Sequence, residues 1–85
     1  MNTGLKVRFR LFANLREAAE TEFITVQVPE HTSVQAAFAV AGKSHPELNA
    51  WQGRVAFARG SGLVHGNAEV TPDDQLDALP PVSGG

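Results

Sequence analysis

The chain contains no cysteine, and this absence excludes several kinds of site. A disulfide framework, a thiolate nucleophile, a zinc ribbon and an iron–sulfur cluster all need thiol side chains, which this chain does not supply. Its 85 residues suffice for one domain, and a domain of this size buries only about 60–65% of the surface that its unfolded chain exposes. Stability must therefore come from the packing of a modest core.

The chain also has little net charge and no long apolar segment. A formal charge of −2 provides no basic surface for nucleic acid or for an anionic membrane. The longest apolar run, residues 36–41, is far shorter than the ~20 residues that span a bilayer. The first residues lack the apolar stretch of a secretion signal. We therefore expect a cytoplasmic protein that binds neither nucleic acid nor membranes.

Metal-binding patterns are absent as well. The three histidines, His31, His45 and His65, match no zinc or diiron spacing, and each is close to a predicted loop or strand end. Solvated or locally hydrogen-bonded histidines are the favoured interpretation, so we predict no metal site.

Acidic residues are concentrated in the last third of the chain, at Glu69, Asp73, Asp74 and Asp77. We interpret them as a solvated turn. The alternative is that they meet a basic surface on a partner.

What the chain does contain is a regular alternation of apolar and charged residues near its start. Residues 5–11 alternate with a period of two, which predicts a strand with one buried face. Phe12 stands where the alternation would place another charged residue, so we expect it on the outer face or at the end of this strand. An exposed ring at such a position marks a contact surface. A second alternation over residues 23–28 predicts a strand that pairs with the first, connected by a helical turn or two within residues 14–20.

One helix is strongly indicated in the middle of the chain. Thr32 and Gln35 have the spacing of a capping box, which predicts a helix start at this point. Apolar residues then recur at helical spacing and form one stripe: Val34, Ala37, Phe38 and Ala41. Gly42 is the predicted stop of this helix.

The second half of the chain predicts only short elements. A turn begins at Pro46, and Leu48 and Trp51 are expected to cover one edge of the core. Strands are predicted at residues 54–59, 63–65 and 75–79, with a turn at residues 71–74 before the last. The resulting order of elements is an α+β layout, with the helix on one face of a sheet.

The last six residues differ from everything before them. Pro80 and Pro81 end strand pairing and hold the chain extended. Gly84 and Gly85 lack side chains, so the backbone can enter a narrow active site and present the Gly85 carboxylate as a reacting group. A small-residue ending is also typical of a frayed terminus, but here the last strand leads into the prolines without a linker. We therefore divide the chain into a domain of residues 1–79 and an extended reactive tail of residues 80–85.

Several of these segments together resemble the MoaD family, the small sulfur-carrying subunits of molybdopterin synthase. The resemblance lies in residues 7–17, the single capped helix, the sequence His-Pro-Glu-Leu at 45–48 and the ending Leu-Pro-Pro-Val-Ser-Gly-Gly at 79–85. It covers essentially the whole chain. It implies the ubiquitin-like β-grasp fold, an α+β fold whose mixed sheet has one main packing helix and parallel first and last strands at its centre.

The resemblance also implies a chemistry in which this chain is a substrate and carrier. An adenylating enzyme resembling ubiquitin-activating enzymes would use ATP to convert the Gly85 carboxylate into an acyl adenylate, and a sulfur donor system would then give a thiocarboxylate. The large subunit of molybdopterin synthase would deliver that sulfur to a pterin precursor. We expect no cofactor bound to this chain and no side chain acting as acid, base or metal ligand.

Site residues follow from the same resemblance. Gly85 would carry the sulfur, with Gly84 as the slim residue behind it, and the rest of the threading segment would be Pro80, Pro81, Val82 and Ser83. Three apolar residues match family positions that contact the partners: Phe12, Leu63 and Leu79. Core packing is the alternative interpretation of these three. Arg16 is the nearest cation, for which a solvated surface arginine is the favoured interpretation.

Two other functions stay open at this point. A ubiquitin-like protein modifier, or a carrier for tRNA or thiamine thiolation, would use the same activated Gly85 with another acceptor. A plain β-grasp interaction domain would have the same fold and an inert tail.

Overall fold

A computed structural model describes residues 4–81 of the chain. Its first strand has alternately buried and exposed side chains. Apolar side chains of this strand are buried on one face, and charged ones are exposed on the other. In chain order, the elements are β1 (Leu5–Leu11), α1 (Ala13–Ala19), β2 (Phe23–Val28), α2 (Val34–Ser44), a 3₁₀ helix (Pro46–Trp51), β3 (Ala56–Arg59), β4 (Gly62–Val64) and β5 (Asp74–Leu79).

The five strands form one mixed sheet in the order β2-β1-β5-β3-β4. The first and last strands, β1 and β5, are parallel neighbours in its interior, whereas the other pairs are antiparallel. This confirms the predicted α+β fold with a parallel first and last strand and a hairpin-like β1–β2 pair.

The core lies between the inner face of the sheet and α2. Three phenylalanine rings join the two layers, one each from β1, α2 and β3: Phe9, Phe38 and Phe57. Their ring centroids are 5.3 to 5.9 Å apart in tilted or edge-to-face pairs. Each such pair contributes about 0.5–1.5 kcal/mol beyond the area it buries. The predicted apolar stripe of α2 is confirmed, because all four of its residues are buried.

The predicted start of α2 is wrong by one residue. Ser33, not Thr32, is the N-cap, and its hydroxyl oxygen accepts a hydrogen bond from the backbone N–H of Ala36 at 3.0 Å. The Thr32 hydroxyl instead donates to the Pro29 carbonyl at 2.7 Å. The Thr32 N–H, which the Gln35 side chain would accept from in a capping box, instead donates to the Pro29 carbonyl at 3.3 Å.

The predicted stop at Gly42 is also wrong, because α2 continues to Ser44. Gly42 is buried inside the helix, and a Cβ at this position would meet the side chain of Asn49 from the 3₁₀ helix. The glycine therefore permits close packing of two helices and does not end the first.

The hairpin of β3 and β4 turns more tightly than the sequence predicts. Arg59 pairs with Gly62, so the connection has two residues, Gly60 and Ser61. Gly60 has a φ of 63°, a left-handed conformation that suits glycine. As a result β4 begins one residue before Leu63, and Leu63 pairs with Ala58 at the centre of the hairpin.

Asp74 contradicts the interpretation of the acidic residues as a solvated turn. Its carboxylate is buried and accepts hydrogen bonds from Arg59 at 2.7 and 3.0 Å and from the Thr71 N–H at 3.0 Å. This burial results from a tertiary contact, because β3 brings Arg59 beside the turn that precedes β5. Glu69 and Asp73 are exposed, as predicted, whereas Asp77 is half-buried.

Candidate functional site

The candidate site is built on β5, the strand that leads to the tail. Its inner residues, Leu76 and Ala78, are fully buried, so this strand is held by core packing on one face and by neighbouring strands on both sides. Pro80 follows β5 directly and is half-buried, and Pro81 is exposed. The predicted tail residues Val82, Ser83, Gly84 and Gly85 lie outside the described part of the chain.

A single row of side chains crosses the outer face of the sheet at the level of Asp77. Strand register aligns one residue from each of the five strands in this row: Phe23, Arg10, Asp77, Ala58 and Leu63. The row has a cation and a carboxylate at its centre and an apolar side chain at each end. This outer row is the surface from which the tail departs.

The three predicted apolar contact residues all lie on this outer face. Leu63 is 76% exposed. Leu79 and Phe12 are half-buried. Because Leu11 pairs with Ala78 in the parallel ladder, Leu79 and Phe12, which directly follows β1, lie at the same end of the face. None of these three residues is therefore part of the buried core.

Arg16 is not part of this row. It lies in the last turn of α1 and is exposed, and its side chain makes no hydrogen bond or ion pair with any residue between 4 and 81. The structure places it on a helix that packs against the 3₁₀ helix and the β5 side of the sheet.

Two arginines and a phenylalanine of this face were not singled out by the sequence. The Arg8 guanidinium carbon lies 4.4 Å from the centroid of the Phe23 ring, and Arg8 also donates to Gln75 at 3.2 Å. Arg10 lies 5.0 Å from the centroid of Phe12 and pairs with Glu22 at 3.2 Å. Cation–π contact stabilises such pairs by about 0.5–1 kcal/mol at exposed sites. The period-two alternation of β1 already indicates that these cations share one face.

The electrostatics at the start of β5 stabilise the strand and do not provide a reactive group. Burial disfavours the charged form of Asp74, but hydrogen bonds from Arg59 and from the Thr71 N–H outweigh it and hold the pKa of this carboxyl below its ordinary value. The same pair raises the pKa of Arg59. Both groups therefore stay ionised at neutral pH and anchor β5 to β3.

A hollow of about 470 Å³ beside α2 is lined by small and amide-bearing residues without a titratable group: Ser33, Gln35, Ala36, Ala39, Gln52, Gly53 and Asn67. Residues 4–81 contain no group of three or more histidine, aspartate or glutamate side chains arranged to hold a metal ion. No helix in this range is both long and apolar enough to cross a membrane.

A model of the ThiS family matches residues 9–85, from the end of β1 to the Gly-Gly ending. The chain belongs to the ThiS family. The fold is the ubiquitin-like β-grasp that the resemblance implies, and several solved structures share it. A search of curated protein sequences finds no significant match.

Three solved structures illustrate the range of ThiS-like proteins with this fold. SAMP1 from Haloferax volcanii has 25% identity and a TM-score of 0.81, with 94% of this chain and 99% of that chain covered. A Pyrococcus furiosus protein assigned as molybdopterin converting factor subunit 1 has 22% identity and a TM-score of 0.77, with coverage of 92% and 99%. The complex of subunits 1 and 2 of the molybdopterin-converting factor from Helicobacter pylori has 22% identity and a TM-score of 0.62, with 95% of this chain and 100% of that chain covered. The chain is thus a member of a family of sulfur carriers and ubiquitin-like modifiers.

Proposed function

We propose that this chain is the sulfur carrier of molybdopterin synthesis, with Gly85 as its reacting residue. The observation that carries the proposal is the direct passage from the interior strand β5 into Pro80 and Pro81, followed in sequence by Gly84 and Gly85. A rigid strand, a stiff proline pair and two residues without side chains are suited to extending a carboxylate into a partner's active site.

Activation would begin with attack of the Gly85 carboxylate on the α-phosphate of ATP bound to an adenylating enzyme. Pyrophosphate leaves, and the acyl adenylate forms. A donor of sulfide then attacks the carbonyl carbon, AMP leaves and the thiocarboxylate remains. Activation is needed because an oxide is a poor leaving group, whereas AMP is a good one. The ATP belongs to the partner, and this chain supplies only the carboxylate.

Delivery of the sulfur would take place on the large synthase subunit. The thiocarboxylate sulfur is nucleophilic and adds to the carbon skeleton of the pterin precursor, and hydrolysis of the resulting thioester returns the Gly85 carboxylate. This proposal is supported by the solved complex of subunits 1 and 2 in a protein of the same fold.

Docking on both enzymes would use the outer sheet face. Leu63, Leu79 and Phe12 provide apolar contact at the end of the sheet from which the tail leaves. Contiguous exposed apolar surface is a mark of protein interaction sites. The outer face would be recognised, and the tail would react.

A second function is favoured by one comparison. SAMP1 of Haloferax volcanii, a small archaeal modifier protein, matches with a higher TM-score than the molybdopterin-converting complex does. A protein modifier is therefore the leading alternative. In that case Gly85 would form an isopeptide bond with a lysine of a target protein.

Reconstitution separates the two functions. The thiocarboxylate form is mixed with the large-subunit homologue of the same organism and the precursor pterin, and dithiolene product is followed. In parallel, an epitope-labelled chain is expressed in its own host, and lysine conjugates are sought by peptide mass spectrometry. Product without conjugates supports the carrier proposal, whereas conjugates without product support the modifier.

A further inference from the structure

Asp77 is a feature of the outer face that sulfur transfer does not explain. It lies in β5, two residues before Leu79, and it is half-buried in the row between Arg10 and Ala58. Its carboxylate makes no hydrogen bond or ion pair with any residue in the described range 4–81. A charge that has lost part of its hydration without gaining a partner is unfavourable for the isolated domain.

The cation next to Asp77 is already committed to other contacts. Arg10 is its cross-strand neighbour in the parallel ladder. However, the Arg10 guanidinium donates to Glu22 beside the start of β2 at 3.2 Å and lies over the Phe12 ring. Asp77 therefore keeps its negative charge available to a group from outside the chain.

On the β3 side of Asp77, the outer face of the sheet carries small side chains. Ala58 lies opposite Asp77, and Ala56 lies opposite Leu79. Beyond them, the exposed Leu63 rises from β4. Alanine side chains end at Cβ, so they leave room between β5 and Leu63 for a long aliphatic stem with its charged end at Asp77.

A partner that covers Leu63 and Leu79 also removes water from Asp77. Burying an uncompensated carboxylate at an interface weakens binding, whereas a cation placed opposite offsets that cost and adds specificity. We infer that the large-subunit partner presents an arginine or lysine side chain that lies over Ala58 and pairs with Asp77. This inference rests on the proposed function and adds a specificity-determining residue to its docking surface.

The test is the affinity of the large-subunit homologue of the same organism for four forms of the full chain. These are the wild type and the variants Asp77→Asn, Asp77→Lys and Asp73→Asn, measured by titration calorimetry at low and at physiological salt. Asp73→Asn is the matched control, because Asp73 carries the same charge but is exposed in the turn at the other end of β5. Thermal unfolding of each form verifies that it is folded.

The expected result is that Asp77→Asn weakens binding by about 30-fold or more, since one member of a desolvated charge pair is removed. Asp77→Lys should weaken it further, and Asp73→Asn should stay within about twofold. The wild type should lose more affinity with added salt than Asp77→Asn does.

The sign of the Asp77→Asn effect decides the inference. If no cation faces Asp77, removal of its charge relieves a desolvation cost, so equal or tighter binding of this variant overturns the inference while the proposed function stands. If folded wild-type chain does not bind the large-subunit homologue at all, the proposed function fails and the inference fails with it.

Discussion

At the scale of single residues, strand parity decides whether a leucine supports the fold or the interface. Leu76 is fully buried on the inner face of β5, whereas Leu63 is 76% exposed on the outer face of β4. We predict that Leu63→Ala changes the free energy of unfolding by less than about 0.5 kcal/mol. It should nevertheless weaken binding of the large-subunit homologue by at least about 1 kcal/mol.

The matched control is Leu76→Ala, which should cost about 2–5 kcal/mol of stability because it leaves a cavity in the core. Urea unfolding and titration calorimetry measure the two quantities. Unchanged affinity of Leu63→Ala would remove this residue from the docking surface.

The ion pair of Asp74 and Arg59 predicts a pH dependence of stability. Asp74 has a lowered pKa when folded, so its contribution is present above the unfolded value of ~3.9 and is lost as the pH falls through the folded value. We predict that Asp74→Asn lowers the free energy of unfolding at pH 7 by about 1.5–3 kcal/mol, since hydrogen bonds to charged groups are lost.

The stability difference between wild type and Asp74→Asn should shrink as the pH falls from about 4 through the lowered pKa of the folded carboxyl, because the unfolded chain takes up the proton first. Urea unfolding at a series of pH values measures this. Asp73→Asn is again the control and should match the wild type throughout. A difference for Asp74→Asn that does not change with pH would contradict a charged pair.

At the scale of elements, the start of α2 depends on one hydroxyl. Ser33 caps the helix through the Ala36 N–H, so Ser33→Ala should lower the free energy of unfolding by about 1 kcal/mol. Ser33→Asp keeps an acceptor at the cap and should retain wild-type stability. Thermal or urea unfolding checks both. An equal loss in the two variants would show that the side-chain acceptor is not what stabilises this helix end.

Elements with a strong repeating pattern could be predicted from the sequence, and their ends could not. The alternation of β1 and the apolar stripe of α2 depend on local spacing, because burial on one face imposes a period on the chain. Of the two adjacent hydroxyls, that of Thr32 donates to the Pro29 carbonyl and that of Ser33 caps the helix, a choice that the spacing alone does not predict. Gly42 was misjudged for a similar reason, since the contact that requires it comes from Asn49 in the following helix.

Some features of the candidate site could likewise be predicted from the sequence, and others could not. The outer-face position of Phe12 follows from its parity in the first strand, whereas Leu63 and Leu79 were singled out only by the resemblance. The burial of Asp74, and the lack of a partner for Asp77 among residues 4–81, depend on how β3 and β1 lie beside β5. Such contacts join residues far apart in sequence, so no local pattern contains them.

At the scale of the whole molecule, the proposed reacting residue lies beyond the last core residue in sequence. Among residues 4–81, the buried core extends from Val7 to Ala78. We therefore predict that deletion of Gly85 abolishes sulfur acceptance and leaves the melting temperature unchanged within error. Differential scanning calorimetry and the sulfuration assay measure the two effects. A large loss of thermal stability would mean that the tail contributes to the fold.

The measurement that tests the central claim most directly is the intact mass of the chain before and after incubation with its adenylating enzyme, ATP and a sulfide donor. The mass before incubation first verifies that the chain ends at Gly85. The account predicts a gain equal to the exchange of one oxygen for one sulfur, located at Gly85 by fragmentation and absent without ATP. An unchanged mass, with the same enzyme shown to activate a control carrier, would contradict it.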